Sequence, residues 1–368
     1  MFIEKVEKET LLKPLQVVIG IVERKQTLPI LSNVLIENQA GKVRFTATDL
    51  EIQITTTVDI DEAAGSSSSI TVGGKKFQEI LRVLPDQSKV TIDIKDSKAQ
   101  IKTNKSRFSL QTLPSMDFPK LSNQLENAKK ISLSQKSLKN LLLSVQYAMA
   151  QQDVRYYLNG VLLIVGENKL KVVATDGHRL AFNAGDIEGD FSKQEIIMPR
   201  KAVTELSKLL ADSDDNVELE FSQQQIKATF SGITLITKVI DGKFPDYERV
   251  IPKYENHLGM DRVVMQQALQ RAAILSNEKF RGVRFVLTEK NLSIISSNSE
   301  QEEAHEDIET DYHGNALDIG FNVNYLQDGL NNIGSGVAVF SFGDPNSSIL
   351  MTTPDNQEFR YVVMPMRI

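Results

Sequence analysis

The sequence contains no cysteine and no tryptophan, and only four histidines. Without cysteine there is no disulfide, no thiolate nucleophile and no Cys-based zinc site, a composition that suits a reducing compartment. His178, His257, His305 and His313 are too scattered to form an H-E-x-x-H metal motif. No apolar run approaches the ~18 residues that a membrane-spanning helix needs. The opening Met1-Phe2-Ile3-Glu4-Lys5 lacks the apolar centre of a signal peptide, so a cytoplasmic protein is expected. There is no G-x-S-x-G elbow and no Walker loop, and Gly73-Gly74 before Lys75 lacks the spacing of a phosphate cradle. No catalytic residue, metal or cofactor is therefore expected. The net charge of −6 excludes nucleic-acid binding by the global field and leaves only a local basic surface for it.

What the chain does contain is a shape that occurs three times. Val161 to Val165 is an apolar run, Gly166-Glu167-Asn168 reads as a turn, and Leu170 to Ala174 returns to stop at Thr175-Asp176-Gly177. The same hairpin runs from Leu31 through Gly41 to Thr48-Asp49-Leu50-Glu51, and from Phe280 through Glu289-Lys290-Asn291 to Asn298-Ser299-Glu300. The copies lie roughly 120 residues apart, a spacing that reads as repeated domains. Asp49 and Asp176 recur at the same point of their copies, which favours a structural turn over catalysis.

An amphipathic helix precedes each hairpin. Thr10, Ser134 and Asp261 read as the caps, with Pro14 placed in the first turn of the first helix. A second helix follows each hairpin, over Lys75 to Leu84, Arg200 to Leu210 and Asn322 to Ile333. Further strands, such as Lys89 to Ile94 and Gln225 to Phe230, complete each copy. Phe118-Pro119 and Phe244-Pro245 mark the handovers, with linkers near Lys120 to Lys129 and Asp246 to His257. The expected fold class is α+β: three like units spanning 1–125, 129–250 and 257–368, arranged as an arc. If the helices share one face of the arc, Lys13, Arg24, Lys25, Lys75, Lys76, Arg82, Lys136, Lys139, Arg200, Lys201, Lys208 and Arg271 line a common basic surface. Such a lining inside an acidic protein suits sequence-independent phosphate contact. Separately, Lys98, Lys102, Lys105 and Arg107 make one end basic, while Glu300, Glu302, Glu303, Glu306, Asp307 and Glu309 make the other acidic. Opposite charge at the two ends favours head-to-tail pairing of copies.

Five segments, in order along the chain, resemble the bacterial DNA polymerase III β subunit family, the sliding clamps. They are Gln152-Asp-Val-Arg-Tyr-Tyr-Leu-Asn-Gly160, Ala174-Thr-Asp-Gly-His-Arg-Leu180, Gly242-Lys-Phe-Pro-Asp-Tyr247, Ala272-Ala-Ile-Leu-Ser-Asn-Glu-Lys-Phe-Arg-Gly-Val283 and Tyr361-Val-Val-Met-Pro-Met-Arg-Ile368. The resemblance implies a non-enzymatic processivity factor. Three clamp domains form an arc with helices inside and antiparallel sheets outside, and a head-to-tail homodimer closes a ring around duplex DNA. It implies a cytoplasmic, nucleoid-associated protein. Its partners would be the polymerase III α subunit, the clamp-loader δ subunit, and other clamp-binding proteins such as translesion polymerases, ligase and mismatch-repair proteins.

For sites, the resemblance implies DNA contact at Arg24 or Lys25, Gln152, Tyr156, Tyr157, Arg200 and Lys201. It implies a dimer interface of Lys76, Lys105, Arg107, Phe108, Leu110, Ile274, Leu275, Glu300, Glu302 and Glu303. It also implies a partner-peptide pocket between the second and third copies. That pocket comprises Leu158, Thr175, Gly177, His178, Arg179, Leu180, Pro245, Arg249, Val250, Tyr325, Ser348, Val362, Met364, Pro365, Met366 and Arg367. Ile368 replaces the terminal Leu common in the family, and Asn346 stands where a small apolar residue is expected. The competing readings are a repeat-built peptide-binding scaffold that never encircles DNA and, more distantly, a hydrolase centred on His178.

Overall fold

The structure, a computed structural model, describes residues 2–23, 28–39, 41–60, 68–189, 191–334 and 336–368. One order of elements, β-α-β-β-β-β-α-β-β-β, recurs three times. The first copy contains β1 (Ile3–Glu7), α1 (Lys8–Val18), β2 (Asn33–Gln39), β3 (Lys42–Thr48), β4 (Ile52–Asp59), β5 (Ser68–Gly73), α2 (Gly74–Val83), β6 (Lys89–Lys95), β7 (Lys98–Lys102) and β8 (Arg107–Leu113). The second contains β9 (Lys129–Ser134), α3 (Gln135–Gln146), β10 (Gly160–Gly166), β11 (Lys169–Thr175), β12 (Arg179–Asp186), β13 (Gln194–Pro199), α4 (Arg200–Leu209), β14 (Asn216–Phe221), β15 (Gln225–Phe230) and β16 (Ile233–Lys238). The third contains β17 (Asn256–Asp261), α5 (Arg262–Ile274), β18 (Gly282–Thr288), β19 (Asn291–Ser297), β20 (Glu303–Glu309), β21 (Leu317–Asn322), α6 (Val323–Asn332), β22 (Val337–Phe342), β23 (Ile349–Thr353) and β24 (Asn356–Val363). All named strand pairs are antiparallel. No helix among the described residues is long and apolar enough to cross a membrane.

Several local expectations change. The first helix starts at Lys8 rather than after Thr10, and its cap residue, Glu7, makes no side-chain capping bond. Pro14 therefore sits inside the helix, where its missing N–H deprives the Thr10 carbonyl of a partner. Asp261 does cap α5, accepting from the Val263 and Val264 N–H groups at 2.9 Å each. Asn322 caps α6 through the Asn324 N–H. The central hairpin turns in two residues, not three. Gly166 pairs with Lys169, and Glu167 and Asn168 take φ of +54° and +58°, the left-handed pair that matches strand twist. Strands β4, β5, β12, β13, β20 and β21 were not expected as separate elements. β4 and β12 pair with the last strand of the next copy and are buried on both faces in part, which breaks a period-two pattern. β20, by contrast, does alternate but carries acidic residues at its more exposed positions and only one large aliphatic, Ile308.

The chain forms two compact units: Met1–Lys136 with Thr204–Val239, and Ser137–Val203 with Ile240–Ile368. The first holds a twelve-stranded sheet in which β4 pairs with β16, Ile52 opposite Thr237. The second holds an eight-stranded sheet in which β12 pairs with β24, Arg179 opposite Val363. In each, the fourth strand of one copy joins the last strand of the next. The continuous sheet, rather than the sequence repeat, decides what packs as one body. The second unit also carries a four-stranded sheet, β20-β19-β18-β21, whose edge is β20.

Candidate partner-binding site

The site is built on the turn that follows β11. Thr175 Oγ1 donates to the Arg179 carbonyl at 2.6 Å and accepts from the Gly177 N–H at 3.1 Å. The Asp176 carboxylate accepts from the His178 and Arg179 N–H groups at 2.9 and 3.0 Å. Gly177 takes φ +89°. The first copy builds the same turn. Thr48 bonds to the Ile52 carbonyl, Asp49 accepts from Glu51 and Ile52, and Leu50 is held at φ +78°. In the third copy Asn298 accepts from Glu300 and Glu302, one residue further on. These side chains are occupied with backbone N–H groups. His178 is exposed and stacks on the Tyr325 ring, centroids 6.4 Å apart.

Arg179 ties this turn to the third copy. Its guanidinium donates to Asp176 Oδ2 at 3.1 Å, to the Tyr147 carbonyl at 2.7 Å and to Asp328, and lies 4.5 Å from the Tyr325 ring centroid. Burial works against its charge, but the surrounding Tyr361, Asp328 and Asp176 oxygens hold its pKa above the ordinary value. Burial pushes the Tyr361 and Tyr147 hydroxyls up. Beside the turn, Arg155 grips Asp153 with two side-chain bonds, 3.0 and 2.9 Å, and reaches the Asp176 carbonyl at 3.3 Å. That side-chain bonding, with a backbone bond from Arg155, lowers the Asp153 pKa to about 2.

A buried apolar cluster lies under these groups. Leu158, Leu180 and Val362 belong to it, with Phe244, Tyr247 and Leu350, and Phe182 stacks on Tyr247 at 5.7 Å. β24 brings the tail to the turn, where the Met364 N–H donates to the His178 carbonyl at 2.9 Å. Met364 is 47% exposed and Val250 45%. The tail then leaves for β21, where the Met366 N–H donates to the Gly320 carbonyl at 2.8 Å. Ile368 lies over Gly282 and Gly320, where added Cβ atoms would meet its side chain at 3.2 and 2.7 Å. Of the expected pocket residues, Leu158, Thr175, Gly177, His178, Arg179, Leu180, Tyr325, Val362 and Met364 are thus joined by direct contacts. Pro245 is exposed beside Phe244, and Arg249 pairs with Asp246 at 2.8 Å. The Ser348 carbonyl accepts from the Tyr254 hydroxyl. Arg367 is exposed, and Asn346 is exposed in the turn organised by Asp344.

The expected DNA contacts differ among themselves. Arg24 and Lys25 lie outside the described residues. Gln152 is exposed and Tyr156 is 59% exposed, whereas Tyr157 packs against the apolar cluster. Arg200 donates to the Met149 and Ala150 carbonyls at 2.9 and 3.3 Å, Lys208 pairs with Glu205 at 2.8 Å, and Lys201 is half-buried. Arg271 pairs with Glu306, bonds of 2.9 and 2.6 Å, on the acidic edge strand. Of the expected interface residues, Lys76, Lys105, Arg107, Glu300, Glu302 and Glu303 are exposed. Ile274 is 76% exposed, while Phe108, Leu110 and Leu275 are half-buried.

Sequence reasoning did not find Asp153, Arg155, Tyr147, Asp328 or Gly320. Tyr147, Asp328 and Gly320 act through neighbours distant in the chain, and Asp153 bonds to Arg155, which reaches the Asp176 carbonyl 21 residues on. Only Asp153 and Arg155 carried a signal, since both fall inside the quoted Gln152–Gly160 segment.

Family models of the DNA polymerase III beta subunit match all three parts of the chain. The N-terminal domain matches residues 1–122, the central domain 132–246 and the C-terminal domain 248–367. The chain is 44% identical to the beta sliding clamp of Pseudomonas aeruginosa over 365 residues and 40% identical to that of Escherichia coli over 364, covering 99% of each pair. The crystal structure of the Pseudomonas aeruginosa clamp with ligand aligns with TM-score 0.94 at 44% identity, over 99% of both chains. That of the DNA polymerase III beta of Caulobacter crescentus aligns with TM-score 0.92 at 36% identity, also over 99% of both. Three repeated antiparallel units, the shared backbone and identity along the whole length lead to one conclusion: the chain belongs to the DNA polymerase III beta subunit family, the bacterial sliding clamps.

Proposed function

We propose that the chain is a processivity factor of a replicative DNA polymerase. Two copies close a ring around duplex DNA, and short peptides of polymerases and other replication proteins dock at the site beside His178 and Met364. Each copy of the repeat serves as one clamp domain, 1–125, 129–250 and 257–368, and the protein catalyses no reaction of its own. It works in the cytoplasm at the nucleoid, with the α subunit, the clamp-loader δ subunit, translesion polymerases, ligase and mismatch-repair proteins as partners.

The observation that carries the ring is an incomplete series of sheet joints. β4 pairs with β16 and β12 pairs with β24, each in equivalent register. The next members of the series have no such mate among the described residues. β20 borders only β19, and the Arg107–Gln111 part of β8 is bonded only to β7. An unpaired edge is an invitation to another chain. Continuing the register pairs Glu303 with Ser109 of the partner subunit and Ala304 with Phe108 of the partner subunit. The Tyr147–Tyr361 ring contact, 5.4 Å between centroids, then has its counterpart in Ile274 against the partner subunit's Phe108. That explains why Ile274 is exposed in a single chain. The acidic β20 complements in charge the basic residues of the β7–β8 hairpin, Lys98, Lys102, Lys105 and Arg107.

The test is topological. A loaded ring should stay on closed circular DNA and slide off after linearisation. Equal loss from circle and line would overturn encirclement and favour the peptide-binding scaffold. Free protein should hold short linear duplex only in the weak non-specific range, ~10⁻⁴ to 10⁻⁶ M.

A further inference from the structure

We infer that Asp328 is a positioning residue of the peptide site, acting through Arg179; the inference rests on the peptide-site reading above. The Arg179 guanidinium is held between two carboxylates. Asp176 belongs to the turn that presents His178, and Asp328 belongs to α6, which presents Tyr325. The guanidinium plane stands 4.5 Å from the Tyr325 ring centroid, and that ring stacks on His178. Asp328 therefore decides where the guanidinium lies, and the guanidinium sets the spacing between the His178 turn and the Tyr325 ring.

The repeat separates this role from plain joint stability. At the other joint inside the chain, the residue in the place of Arg179 is Ile52, buried and opposite Thr237, where Arg179 is opposite Val363. An aliphatic side chain thus suffices to join two copies. The acid in the place of Asp328 is Glu205, the sixth residue of α4 as Asp328 is the sixth of α6. It pairs with Lys208, three residues on in the same helix. The arginine held by two carboxylates belongs to the joint that carries the His178 turn and the exposed Met364.

A partly buried arginine left with one carboxylate has several resting places, so the binding-competent arrangement is only partly populated. Apparent affinity falls by that fraction. The experiment uses the intact protein and a short synthetic peptide rich in Gln and in Leu or Phe, titrated by fluorescence anisotropy. Imidazole resonances of the four histidines are followed by NMR, with His178→Gln to assign the signal. Asp328→Asn should weaken the peptide about tenfold and displace only the His178 resonance. Asp328→Glu should recover most of the affinity. In an Arg179→Met background, adding Asp328→Asn should change neither readout further. Unchanged affinity and an unmoved His178 signal in Asp328→Asn would overturn the inference, as would a further loss in the Arg179→Met background. If Asp328→Asn fails to fold, the Arg179→Met comparison decides. A wild-type protein that ignores the peptide defeats the peptide-site reading instead, and the His178 resonance then still reports on Asp328.

Discussion

Met366 donates its backbone N–H to the carbonyl of Gly320, and Ile240 does the same to Ile197 at the equivalent place one copy earlier. Leu113 pairs with Thr71 at the third such position. The end of each last strand, or the segment just after it, therefore closes its own copy onto the third-from-last residue of the strand that leads into the second helix. The C-terminal tail thus makes the same closing bond as the exit of the second copy.

Deleting Met364–Ile368 should abolish peptide binding. It should also lower stability, because it removes the bonds from Met364 to His178 and from Met366 to Gly320. At about 1 kcal/mol each, the loss is ~2 kcal/mol. Deleting only Arg367 and Ile368 keeps both bonds and should leave most of that stability. Urea denaturation with parallel peptide titration separates the two effects. Full peptide affinity in the longer deletion would remove the tail from the site.

Changing Ile274 and Leu275 together to Ala should yield a folded monomer. Their burial against a second copy is worth roughly 2 kcal/mol or more per side chain, and the 76% exposure of Ile274 in one chain means the fold itself gains little from it. Sedimentation at low concentration reads the outcome. An unchanged dimer would refute the proposed third joint.

Replacing Gly177 by Ala should cost about 1–2 kcal/mol, the usual penalty for a side chain in the left-handed region. The new Cβ would also lie 3.1 Å from the Arg155 guanidinium. Denaturation gives the cost. A neutral substitution would show that the turn relaxes, as the Leu50 turn has accommodated φ +78°.

Asp153 should titrate at about 2, below its unfolded value of ~3.9. Its pairing with Arg155 thus contributes stability above about pH 4 and loses it as pH falls through about 2. Carboxyl NMR measures the midpoint, and Asp153→Asn should remove this pH dependence. A midpoint near 4 would mean that the Arg155 pair does not form in solution.

The threefold repeat, the six helices and most hairpin strands were legible in the sequence, because each buries one stripe or one face. Val161–Val165 and Leu138-Leu141-Leu142 carry that period without outside help. The Thr48-Asp49 and Thr175-Asp176 turns were legible for the same reason, since their bonds close within four residues. Site residues read by family motif were legible only as a set. Their mutual contacts were not.

Tertiary structure decided the rest. The pairing of β4 with β16 and β12 with β24 sets which copies share a sheet, and strand partners about 180 residues apart leave no trace in local periodicity. It decided that Arg271 pairs with Glu306, and that Arg179 gathers Tyr147, Asp176 and Asp328 around one partly buried charge. A guanidinium drawn partly out of water needs several oxygens at once, and only a folded chain can bring them from three elements to one point.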